Sequence, residues 1–139
     1  MKKDVNICIK GVYVAEEERT TTELYTVGSL CKKNGHYYLT YAESETTGFE
    51  GCVTTMKLEE DRVTVIRRGP ATAHLILQKG IRNVGRYEMM GTLMDIGVYT
   101  DGMESTMTED GGSLHLKYTM DMNSALLSEN ELDISVTQI

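Results

Sequence analysis

Residues 62–87 carry six basic side chains, Arg62, Arg67, Arg68, Lys79, Arg82 and Arg86, and no acidic one. Arg67 keeps step with Val63 and Val65 in an alternating run, which turns its guanidinium toward the apolar side of a strand. An arginine directed inward needs a partner, because an unpaired buried guanidinium is costly. A protein carboxylate such as Asp95 would serve, and so would the anionic head of a bound molecule. His74, Arg82 and Arg86 fall on neighbouring strands and could complete an anion site. The competing reading keeps Arg67 at a strand end with its head in water and the other cations on the surface.

Tyrosines form a second constellation. Tyr37 and Tyr41 share a face with Leu39, and Tyr118 belongs to the apolar face of its own strand. Tyrosine hydroxyls and an arginine can together hold a carboxylate, although a tyrosine in a strand equally fills a core with its ring. Metal and nucleophile signals are weak. Cys31 and His36 flank Asn34-Gly35, but two potential ligands do not make a zinc site, and Cys8 and Cys52 have no paired spacing. His115 alternates with an apolar face and is expected in solvent. There is no Gly-x-Ser-x-Gly elbow, phosphate-binding glycine loop or dinucleotide fingerprint, so neither a cofactor nor a catalytic residue is assigned.

The elements that must position these residues are strands. In 113–122, Leu114, Leu116, Tyr118, Met120 and Met122 alternate with Ser113, His115, Lys117, Thr119 and Asp121. The same period runs through Val5, Ile7 and Ile9 and through Leu132, Ile134 and Val136. Asn34-Gly35 is a strong hairpin signal, and Glu60-Asp61, Asp101-Gly102 and Glu109-Asp110-Gly111-Gly112 read as further turns. The pattern predicts strands near 4–14, 21–33, 36–44, 51–59, 62–69, 73–79, 84–90, 92–100, 104–109 and 113–122, with 131–138 as an eleventh. The best helix candidate is a turn or two at 124–129. The expected fold is all-β, one domain over 1–139: an up-and-down antiparallel barrel of about 8–10 strands, closed because closure hides the edges. A barrel of that size can hold side chains or one small ligand.

Several stretches, in order, resemble the YwiB-like family of small bacterial proteins, a domain of unknown function. They are the hairpin at 28–43 with Tyr38-Leu39-Thr40-Tyr41-Ala42-Glu43, then Val65-Ile66-Arg67-Arg68-Gly69, then Tyr87-Glu88-Met89-Met90-Gly91-Thr92-Leu93 running on to Thr100. Leu116–Met120 and Asn130-Glu131-Leu132-Asp133-Ile134 complete the set. The resemblance implies a calycin-type barrel, related in architecture to lipocalins, and carries over no functional residue. Met89-Met90-Gly91 stands where a Thr-Pro-Tyr-Gly-like turn would be expected.

Composition narrows the function classes. The net charge is −7, and the acid-free stretch leaves −13 on the rest of the chain. That balance argues against a nucleic-acid coat or an anionic membrane surface as the partner. Three cysteines, an odd number far apart, argue against a disulfide framework, and Asp4 and Asn6 follow Met1-Lys2-Lys3 without an apolar run. A reduced, cytoplasmic protein is expected. Two functions fit: a binding protein that takes a small anionic or amphipathic molecule into the barrel, and a protein-interaction module, self-associating as a homodimer, with a packed interior. An enzyme is the weaker third reading.

Overall fold

The computed structural model describes residues 2–139, which form ten antiparallel strands in one closed barrel. They are β1 (Lys2–Ala15), β2 (Glu18–Lys33), β3 (His36–Ala42), β4 (Val53–Leu58), β5 (Arg62–Arg68), β6 (Ala71–Gln78), β7 (Arg82–Met89), β8 (Thr92–Ser105), β9 (Gly112–Met122) and β10 (Ala125–Gln138). Each strand pairs with the next, and β1 closes the ring by pairing with β10 from Val5–Gln138 to Val14–Glu129. A single 3-10 turn, Glu45–Thr47, lies in the long β3–β4 connection. No helix among the described residues is long and apolar enough to cross a membrane.

The expected all-β barrel is therefore present, with three local corrections. The strand expected at 92–100 runs on to Ser105 as β8, which takes in only the first two residues of the separate strand expected at 104–109; the remaining four lie in the turn before β9. Asp101-Gly102 is a bulge in it, where the pairing shifts from Thr100–Tyr118 to Gly102–Lys117. Asp-Gly there bends a continuing strand because β9 runs alongside both halves. The helix expected at 124–129 is instead the start of β10, paired with the end of β9. Asn123 and Ser124 adopt positive φ (51° and 69°), so the chain reverses in two residues and leaves no room for a helical turn. Finally, β10 reaches back to Ala125 rather than starting at 131.

Alternation sorts the side chains in and out. Val5, Ile7, Leu30, Leu39, Leu77, Leu114, Leu116 and Ile134 are fully buried inside, while the lysines and most acids face outward. The two ends of the barrel differ. The end carrying the chain termini and the Asn34-Gly35 turn is filled by Val5, Leu30, Leu58, Val63, Leu77, Leu114 and Val136. At the other end, the inward positions on β1, β4 and β6 are small: Gly11, Thr54, Ala71 and Ala73. That end has space for long polar side chains, and it is where Arg67 stands.

Candidate functional site

β5 delivers Arg67 to the small-residue end of the barrel, in register with Thr54 on β4 and Ala73 on β6. Its side chain is only 11% exposed, and its partner is Glu43, 3% exposed, whose Oε2 accepts from Arg67 Nη2 at 3.3 Å. Asp95, the acid expected in that role, lies on the outer face, 3.7 Å from Arg86. The reason is register: Arg86 and Asp95 are cross-strand neighbours one step from the inward pair Tyr87 and Met94.

Glu43 is held by more than the arginine. Thr54 donates its hydroxyl to Oε2 at 2.6 Å, and Thr47 donates to Oε1 at 3.0 Å. These bonds pin the β3–β4 connection across the barrel mouth. Its backbone closes through Glu43 N–H to the Cys52 carbonyl at 2.9 Å, with Gly48 and Gly51 supplying the left-handed turns (φ 84° and 87°). The connection brings the Phe49 ring over the Arg67 guanidinium, 3.8 Å from the carbon to the ring centroid, a cation–π contact.

Around this pair lies a cavity of about 70 Å³ bounded by Tyr13, Tyr41, Glu43, Phe49, Arg67 and Tyr118, with Tyr87 also on its wall. Burial pushes the Tyr41 phenol up, and the nearby Glu43 carboxylate adds to it; burial likewise raises Tyr118. Both hydroxyls therefore stay protonated and can donate. Burial opposes the charge on Arg67, but Tyr87 and Glu43 outweigh it, so the guanidinium stays charged and its pKa lies above the ordinary arginine value. Nε and Nη1 of Arg67 are fully buried and make no well-aligned hydrogen bond within the protein, with the Tyr87 hydroxyl close by.

The residues singled out from the sequence divide cleanly. Arg67, Tyr41 and Tyr118 meet at this mouth. Tyr37 shares the inward face with Tyr41, but four residues of extended chain put it about 13 Å away at the opposite end, beside Lys32 and Leu58. His74, Arg82 and Arg86 point outward. His74 pairs with Arg86 in the ladder, and Arg82 crosses the bare face of Gly97 to grip Asp121 at 2.7 and 3.0 Å. The candidate anion site thus keeps one of its four basic residues and loses three to the outer surface. Glu43, Phe49, Thr54 and Tyr87 were not expected there. Glu43 had a signal, since it follows Tyr41 by two residues on the inward face; Phe49 had none, because it lies in an irregular connection.

A family model described as "Domain of unknown function (DUF1934)" matches residues 7–134. The chain belongs to the DUF1934 family. Among its relatives is the uncharacterized beta-barrel protein YwiB of Bacillus subtilis (strain 168), 23% identical over 116 residues, covering 84% of this chain and 80% of the relative. The crystal structure of ywiB protein from Bacillus subtilis aligns with a TM-score of 0.89 at 20% identity, covering 99% of this chain and 93% of that one. The resemblance read from the strand motifs is thereby sustained. The likeness to the solved structure contributes the barrel fold alone; the mouth described above rests on this chain's own residues.

Proposed function

We propose that this DUF1934 protein is a cytoplasmic, calycin-type binding protein that takes a small oxyanion, or the oxyanion head of a small molecule, at the barrel mouth. One observation carries the reading: a charged, largely buried arginine lines a cavity, and two of its N–H groups make no well-aligned hydrogen bond within the protein. Buried donors of that kind are rare in folded proteins and cost free energy until an acceptor reaches them. Tyrosine hydroxyls on the same wall supply further donors. The cavity limits what fits. About 70 Å³ holds a few water-sized groups, well below the roughly 300 Å³ at which drug-sized ligand sites begin, so a carboxylate or phosphate-sized group enters while its body stays outside. A long amphipathic chain finds the far half of the barrel already filled by leucine, isoleucine and valine.

Glu43 has a defined part in this reading. It already neutralises Arg67, so an incoming anion competes with a resident carboxylate for the same guanidinium. Glu43→Gln removes the competing charge while keeping the side-chain shape, and it should raise affinity for small oxyanions about tenfold, the equivalent of 1.4 kcal/mol. The test is titration with acetate, bicarbonate and inorganic phosphate, followed by NMR of the Arg67 and tyrosine signals. If neither the parent nor Glu43→Gln saturates with any of the three, the binding reading is wrong.

A second reading, self-association, is supported by Tyr25 and Val27, which are 69% and 57% exposed side by side on the outward face of β2. Light scattering of the eluting protein decides it: a monomer at all concentrations removes it.

A further inference from the structure

Of the described residues that line the mouth cavity, only Arg67 and Glu43 are charged, one of each sign, so the site is neutral before anything binds. The other titratable groups on its wall are phenols: Tyr13 on β1, Tyr41 on β3, Tyr87 on β7 and Tyr118 on β9. Glu45 and Glu50 of the β3–β4 connection face solvent, and the buried Cys52 thiol is turned to the Ala71 carbonyl. Glu43 is held in place. Its backbone N–H is bonded to the Cys52 carbonyl, Thr47 and Thr54 each donate to one of its oxygens, and its side chain is almost wholly buried. An oxyanion that reaches Arg67 therefore meets a second negative charge, and one guanidinium cannot neutralise both.

We propose, resting on the oxyanion-binding reading of the mouth, that the oxyanion enters with one proton from solvent, shared between it and Glu43, and that the site thereby selects monoanions such as carboxylates over dianions. Two carboxylates crowded onto one site do not both stay ionised, and the pair takes up a proton instead. A protonated Glu43 keeps acceptor capacity for the hydroxyls of Thr47 and Thr54, while its new O–H donates to the incoming oxygen. The charges then balance as before: one guanidinium, one anion and one neutral carboxyl. A dianion would need a second proton or a second cation. Arg82 and Arg86 cannot supply it, because they are paired with Asp121 and Asp95 on the outer surface.

The probe is acetate, which stays ionised across about pH 6–8. Calorimetry of the intact chain near neutral pH, in two buffers of different ionisation enthalpy, counts the protons taken up on binding. An uptake of up to one proton per acetate is expected. Affinity should correspondingly fall by up to tenfold for each unit rise in pH, because the bound state holds the extra proton. Glu43→Gln, with an amide in place of the shared proton, should bind acetate without proton uptake and with an affinity independent of pH; thermal melts confirm that it is folded. Sulfate, a dianion throughout this range, should bind the parent at least tenfold more weakly than acetate. Acetate binding with no buffer dependence in the parent overturns the proton coupling and leaves the oxyanion site standing, with Glu43 displaced as a charged group. Uptake that persists in Glu43→Gln overturns it as well, since the proton then resides elsewhere. Sulfate held as tightly as acetate removes the selection. A parent and a Glu43→Gln variant that both ignore acetate and sulfate fail the oxyanion reading itself, and the proton coupling with it.

Discussion

Replacing Arg67 by methionine would leave Glu43 buried with only Thr47 and Thr54 as partners. Breaking a buried pair by removing one member costs more than the pair contributes, about 3–5 kcal/mol. The double variant Arg67→Met/Glu43→Gln should recover a large part of that loss. Urea denaturation of the two variants checks it; equal stability of the single and double variants would mean that Glu43 does not depend on Arg67. His115 makes a second residue-scale prediction. The bond to Asp133 raises its pKa above the ordinary value of 6.5, against a smaller effect of burial. A group whose folded-state pKa is raised stabilises the fold below its unfolded pKa, and that contribution fades as pH climbs through the folded value. Stability should therefore fall by a few tenths of a kcal/mol as pH rises above about 6.5, small because the ring is a third exposed. The fall should disappear in His115→Gln, as read from melting curves at a series of pH values.

The strands owe their register to tight turns. Four hairpin turns place both central residues at positive φ: Glu16-Glu17, Asn34-Gly35, Met90-Gly91 and Asn123-Ser124. Only two of the four have glycine second, where positive φ carries no side-chain penalty. Ser124→Gly would convert the β9–β10 turn to Asn-Gly, the favoured pair for this geometry, and should stabilise the protein by up to about 1 kcal/mol. Denaturant midpoints at unchanged slope measure the gain. A loss would show that the flexibility glycine adds to the unfolded chain outweighs the relieved strain.

Across the whole molecule, closure joins the first strand to the last, so Val5 meets Gln138 and Ile9 meets Ile134. Pairings that span the whole chain make for slow folding, in the millisecond-to-second range typical of all-β proteins, which stopped-flow refolding tests. Ile134, 1% exposed at that seam, should cost about 2–5 kcal/mol as alanine. It lies outside the mouth lining, so oxyanion affinity in the folded variant should match that of the parent; a changed affinity would tie the mouth to the seam.

The alternating pattern alone determined the barrel, its inward set and the inward direction of Arg67, because a period of two has one apolar face and burial selects it. It also placed Tyr41 and Tyr118 on that face. It did not determine height along the barrel, so Tyr37 and Tyr41, equivalent in pattern, end at opposite mouths. Nor did it determine which strands neighbour across the ring. His74, Arg82 and Arg86 are close to Arg67 in sequence, yet their parity sends them outside. Glu43 lies 24 residues from Arg67 and meets it because the β3–β4 connection folds over the mouth. Likewise His115, Glu131 and Asp133 converge only through the β9–β10 ladder. Faces are a local property of a strand; partners are a property of the closed sheet, and only the tertiary structure fixes them.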